Sequence, residues 1–219
     1  MTAEQFFNLE KHLIESGLDA DLDSFETIRE RMKTGTLFDS DEFARQAVYV
    51  VLAGGFSQKT AKKIHAKIMD ALRAGTNDYP SLRAIFNNKN KINAIIKLWE
   101  NRKKYRDGYY NLAGAPLESK LAYLSGLPHI GKITANHLAR NLGENIAKYD
   151  IWIQRLAAGG TPEENLIDNK DLNPEIRNLC DDMFAKLERA TGLPRGYIDV
   201  VLWKACQNGL LCAKQKNKR

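Results

Sequence analysis

The sequence predicts an all-α protein. Apolar residues recur at three- and four-residue spacing along nearly every segment, which is the period of one helix face. Residues that cap helices stand at the heads of several of those segments, and glycines follow some of them. No run alternates apolar with polar residues over the length of a strand.

Taken in order, "TAEQFFNLEKHLIES" spaces Phe6, Phe7, Leu9, Leu13 and Ile14 for a helix that Gly17 ends. "SFETIRERMK" follows with Ser24 as its N-cap. "DSDEFARQAVYVVLAGG" opens on capping residues and is almost wholly apolar from Ala47 to Ala53, the mark of a helix buried at the centre. Ser57 caps "SQKTAKKIHAKIMDAL", which sets Ala61, Ile64, Ile68, Ala71 and Leu72 on one face and lysines opposite. "PSLRAIF", "NKINAIIKLWENRKKY" and "PLESKLAYLSG" read as further helices, then a turn and a helix from about Ile133 to Leu142. "IWIQRLAAGG", "PEIRNLCDDMFAKLERATG" and "YIDVVLWKACQNGLL" complete the set.

The 219 residues are 43% hydrophobic and 27% charged, as in an ordinary globular chain long enough to bury a core. No apolar run spans a bilayer and the first residues do not resemble a secretory signal, so a cytoplasmic protein is expected. The net charge of +6 favours a polyanionic partner where it clusters, as in "KTAKKIHAK", "ENRKKYR" and the tail "AKQKNKR". Each cluster is also explained as a solvated helix face or a frayed end. Cys180, Cys206 and Cys212 make no CxxC pair and are too few for a four-thiolate iron–sulfur cluster. His12, His65, His129 and His137 are scattered, and no zinc site is expected.

The stretch "LPHIGKITANHLARNLGENIAKYDIWIQR", from Leu127 to Arg155, carries the functional signal. Gly126 is placed to cap the preceding helix in a left-handed conformation. Pro128 stiffens the turn, and Gly131 offers backbone that a ligand can approach closely. The helix that begins at once leaves its first N–H groups without intrahelical partners, beside the positive end of its dipole. That arrangement suits a phosphate, with Lys132 as an adjacent cation. A plain corner between two packed helices would use the same residues. Asp150 lies eighteen positions after Lys132, so one helix and a short loop separate it from the turn. Its neighbours Tyr149, Ile151, Trp152 and Ile153 are apolar or aromatic, with Lys148 and Arg155 as exceptions. Capping of "IWIQR" explains an aspartate there, and a capped carboxylate is also held as rigidly as catalysis requires.

These residues resemble the helix-hairpin-helix DNA glycosylase superfamily (HhH-GPD), and most closely the archaeal-type 8-oxoguanine DNA glycosylases. "VVLAGGFSQ", "HLARNLG" and "YIDVVLWKA" extend the likeness over most of the chain from Glu42. The resemblance implies a two-lobed helical fold with the helix-hairpin-helix, about residues 117–142, beside the cleft between lobes. Residues 1–40 would pack with a C-terminal lobe of 149–213, residues 41–148 would form the other lobe, and 214–219 a basic tail.

The resemblance also implies roles. The backbone of His129, Gly131 and Ile133 would grip a phosphate of double-stranded DNA, with Lys132, Thr134 and a monovalent cation as further contributors. Asp150 would be the catalytic carboxylate, and Phe56, Trp152, Asp199 and Trp203 would line the pocket of a flipped base, although core packing explains the aromatic ones equally. Members that also nick the strand carry a lysine two positions after the hairpin glycine, where this chain has Ile133. Lys132 sits one position early, turned by roughly 100 degrees on a helix. A monofunctional enzyme that uses water is therefore expected, with Lys132 as an alternative nucleophile for lyase chemistry. Gly55 stands near the place of a larger DNA-inserting side chain, leaving that task to another residue such as Gln58. A monomer without cofactor is expected. A DNA-binding module without chemistry is the competing class, and the excised base is not legible.

Overall fold

A computed structural model of the chain describes residues 1–159 and 173–211; Cys212 and the basic tail fall outside them. The regular elements among the described residues are helices, and the β pairing there is a single bridge between Ala20 and Ser24. In order they are α1 (Ala3–Glu15), α2 (Phe25–Thr34), α3 (Ser40–Ala53), α4 (Gln58–Arg73), α5 (Tyr79–Ile85) and α6 (Lys89–Glu100). Then come α7 (Arg102–Tyr110), α8 (Leu117–Ser125), α9 (Lys132–Asn141), α10 (Ile151–Ala157), α11 (Pro174–Thr191) and α12 (Arg195–Gln207). None of the described helices is long and apolar enough to cross a membrane. They divide into two compact units, one of residues 36–142 and one that joins residues 1–35 to the chain from Gly143 onward.

The unit of residues 36–142 is built around α3. Asp39 caps this helix by accepting the Glu42 N–H at 2.8 Å. Nearly every residue from Phe43 to Leu52 is buried, as the apolar run predicts, and α4, α6, α7 and α9 all pack on it. Each large apolar side chain so enclosed contributes roughly 1.5–3 kcal/mol. Gly55 has φ +84°, so the turn from α3 to α4 requires a residue that tolerates the left-handed region. Ser57 then caps α4 through the Thr60 N–H at 3.2 Å. "NKINAIIKLWENRKKY" forms two helices, α6 and α7, with Asn101 between them. Arg102 fixes the break by pairing with Asp41 at 2.5 Å and lying 4.3 Å from the Trp99 ring centre. A side chain at Gly108 would collide with the Tyr123 phenol, so glycine there permits the approach of α7 to α8.

In the other unit, α1 packs on α11 and α12, and α2 packs on α12. Phe6, Leu13, Phe25 and Ile28 join Phe184, Leu187, Tyr197 and the apolar face of α12 in one core. Where the resemblance implies boundaries at 40 and 148, the units divide after Gly35 and Leu142. The shift has a physical cause: Ala147 and Tyr149 are buried in the core that α11 and α12 complete.

Candidate functional site

The residues singled out in the sequence fall into two groups, one in each unit. In the first, α8 and α9 pack on each other and enclose a hairpin whose apolar residues, Leu127 and Ile130, point into the core. Gly126 is not left-handed, contrary to the sequence reading; it has φ −82°, because the helix runs on as tight turns through Leu127. His129 takes that conformation instead, with φ +61°. A non-glycine residue held there costs roughly 1–2 kcal/mol. Thr134 closes the hairpin: its Oγ1 accepts the Gly131 N–H at 2.7 Å and donates to the Gly131 carbonyl at 2.9 Å. The Gly131 amide is therefore engaged within the hairpin, and the Ile133 amide, in the first turn of α9, is a donor without an i−4 carbonyl inside the helix. Lys132 is exposed at the first position of α9, and Ile133 is half-buried.

Gly131 is informative in another way. Its φ of −98° suits any residue, and a Cβ there would meet nothing closer than Thr134 Oγ1 at 3.8 Å. Among the described residues no contact requires glycine at this position, and a closely approaching ligand would. Phe56, at the head of α4, is 40% exposed, its ring edge against Phe86 and its face 4.9 Å from the Lys91 ammonium. Gln58 is only 9% exposed, so the inserting role suggested for it does not fit its burial. Lys59, Lys63 and Lys67 form an exposed row along α4 in the same unit.

The second group centres on Asp150, which caps α10. Its Oδ1 accepts the N–H groups of Trp152 at 3.0 Å and Ile153 at 3.3 Å. Its Oδ2 lies 3.1 Å from the Lys148 ammonium, with both side chains largely buried. Between them Tyr149 is left-handed, with φ +51°. Its surroundings hold it in that sparsely populated conformation. The Tyr149 hydroxyl donates to Asp181 at 2.5 Å and accepts from Arg195 at 3.0 Å, while its carbonyl accepts from Gln154 at 2.8 Å. Burial and the Asp181 hydrogen bond push the phenol pKa up, so Tyr149 stays neutral. The turn at Tyr149 sends its own ring into the core and brings Lys148 and Asp150 together.

Asp199, on α12, is fully buried, and its Oδ2 accepts the Lys148 N–H at 3.2 Å. It thus anchors the segment that carries Asp150. Trp203, one turn further on, is 8% exposed and has the Lys148 ammonium 5.5 Å from its ring centre. Trp152 is half-buried against the core and lies beneath the buried Arg155 guanidinium, 5.6 Å away. Asp150, Asp199 and Trp203 therefore share one neighbourhood, and Lys148 is the member that joins them. In the sequence Lys148 stands out only as a charged exception among the apolar neighbours of Asp150, two positions before it.

A helical chain with this hairpin and a capped aspartate belongs to a recognisable class of fold, although no protein-family model and no curated protein matches it. Solved structures do. The 8-oxoguanine DNA glycosylase of Methanocaldococcus jannaschii superposes with a TM-score of 0.67 at 14% identity, over 96% of this chain and 95% of that one. The same organism's 8-oxoguanine glycosylase/lyase, in complex with a 15mer DNA containing 8-oxoguanine, gives 0.66 at 14% identity, over 95% and 98%. The Thermotoga maritima 8-oxoguanine DNA glycosylase gives 0.61 at 17% identity, over 92% and 93%. The chain has the fold of these proteins, as the resemblance predicts.

Proposed function

We propose that this protein is a DNA glycosylase that breaks the N-glycosidic bond of a damaged base flipped from duplex DNA. The observation that carries the reading is Asp150: a largely buried carboxylate, fixed by two backbone N–H groups, in a chain with the fold of 8-oxoguanine glycosylases. As the base departs, positive charge grows on the deoxyribose, and a fixed carboxylate stabilises it without reorganising. The hairpin supports the DNA side of the reading, because Gly131 is a glycine that no contact among the described residues demands. The exposed lysine row on α4 adds phosphate attraction that does not depend on sequence. Flipping brings the reacting carbon within reach of such a group.

Because the structural neighbours act on 8-oxoguanine, that lesion leads the list of substrates to test. The hairpin helix offers no amine where strand-nicking members carry one, since Ile133 holds that position. Water is the nucleophile if the hairpin helix is the only source considered. Lys132, exposed at the first position of α9, is better placed for phosphate. No cofactor enters the reaction, and a monovalent cation between hairpin and phosphate is the one inorganic component the reading admits.

The test uses duplexes that each carry one lesion: 8-oxoguanine, an alkylated purine or uracil. Release of a free base from at least one duplex, seen as strand scission after hot alkali, is the expected result. Tight DNA binding with no release from any of them would favour the non-catalytic reading.

A further inference from the structure

The hairpin helix carries Ile133 where strand-nicking members carry an amine, but an amine stands beside Asp150. We propose that Lys148 is the catalytic nucleophile, an amine that reaches the sugar from the segment before Asp150 and makes the protein a glycosylase with lyase activity. The inference rests on the glycosylase reading above and names the group that attacks.

Three observations converge on Lys148. Its ammonium is 3.1 Å from Asp150 Oδ2, within reach of a base that can take its proton. Its side chain is 15% exposed, so it is shielded from bulk water yet open to an entering group. Its backbone is held by the Asp199 carboxylate, and its head lies over the Trp203 face, a surface that also favours the cationic imine formed later. The left-handed Tyr149 between them brings the amine and the carboxylate together.

The step balances as follows. Lys148 passes one proton to Asp150, and its free electron pair attacks C1′. The C1′–N bond breaks and its electron pair leaves with the base, which takes a second proton from the lysine nitrogen. The remaining lone pair then expels O4′, which is protonated by Asp150, leaving an iminium at C1′ and an ionised carboxylate. The Asp150 carboxylate takes a C2′ proton, the released electron pair forms the C2′–C3′ double bond and expels the 3′ phosphate, and water finally hydrolyses the imine to return the amine.

The test is borohydride trapping of the full-length protein, on the lesion duplexes and on a duplex with a single abasic site, followed by peptide mapping of the adduct. The wild type is expected to give a covalent adduct that maps to Lys148. Lys148→Arg keeps a cation beside Asp150 but cannot form an imine; it is expected to fold as the wild type does and to lose adduct at least 100-fold. An adduct that maps to Lys132 or elsewhere overturns the proposal. So does base release that needs hot alkali for scission, traps nothing and survives in Lys148→Arg; the glycosylase reading would then stand with water as nucleophile. Absence of both base release and adduct on every duplex overturns the proposal together with the reading beneath it.

Discussion

The Asp199 side chain accepts the backbone N–H of Lys148 at 3.2 Å, tying a fully buried carboxyl group on α12 to the segment that ends in Asp150. Removing it leaves that amide without its acceptor and loosens the carboxylate two residues on. Asp199→Ala is expected to lower the unfolding free energy by roughly 1–3 kcal/mol, the range for leaving a buried donor unsatisfied. Base release should fall as well. Urea unfolding with an unchanged slope and a lower midpoint is the measurement that checks it.

Gly131 separates a folding requirement from a binding requirement. Its φ of −98° and the open space around its Cβ position mean that Gly131→Ala should change stability by no more than about 0.5 kcal/mol. DNA affinity should nevertheless fall by about 10-fold, because the added methyl keeps a phosphate from the first turn of α9; about 1.4 kcal/mol is at stake. Thermal unfolding and fluorescence anisotropy at one fixed salt concentration give the two readings. Equal affinity would remove the hairpin from the DNA interface.

His65 makes the unit built on α3 sensitive to acid. It is buried, and its Nε2 lies 3.0 Å from the Arg45 carbonyl, to which it donates. Burial pushes its pKa down from 6.5 to about 4. The unfolded chain therefore binds a proton that the folded chain refuses. Stability from this group is complete above pH 6.5 and is lost as the pH falls from there to about 4. The loss approaches about 1.4 kcal/mol per pH unit. Stability measured across this window should show that slope, and His65→Gln should flatten it.

Much of the architecture is legible in the sequence because it is local. Ser24, Ser57 and Asp150 cap the helices they head, and the apolar run of α3 is buried as its composition requires. What the sequence hides depends on contacts made at a distance or on single backbone angles. Gly126 and His129 are both plausible turn residues, and the continued tight turns after α8 decide that His129 goes left-handed. Gln58 follows a cap on a lysine-rich helix, yet its side chain turns inward. The Lys148–Asp150 pair needs Tyr149 in a conformation that pattern reasoning does not assign to tyrosine, and that conformation is fixed by Asp181, Gln154 and Arg195 from elsewhere in the chain.

The catalytic assignment of Asp150 is tested most directly by the single-turnover rate of base release from Asp150→Asn, on whichever lesion duplex the wild type processes. Asparagine caps helices as well as aspartate does, so α10 should stay in place while the charge and the proton acceptor are lost. The rate is predicted to fall by about 10²–10⁴-fold with the DNA still bound. A rate within a few-fold of wild type would contradict the account, because the chemistry would then not need the Asp150 carboxylate and Asp150 would be a helix cap alone.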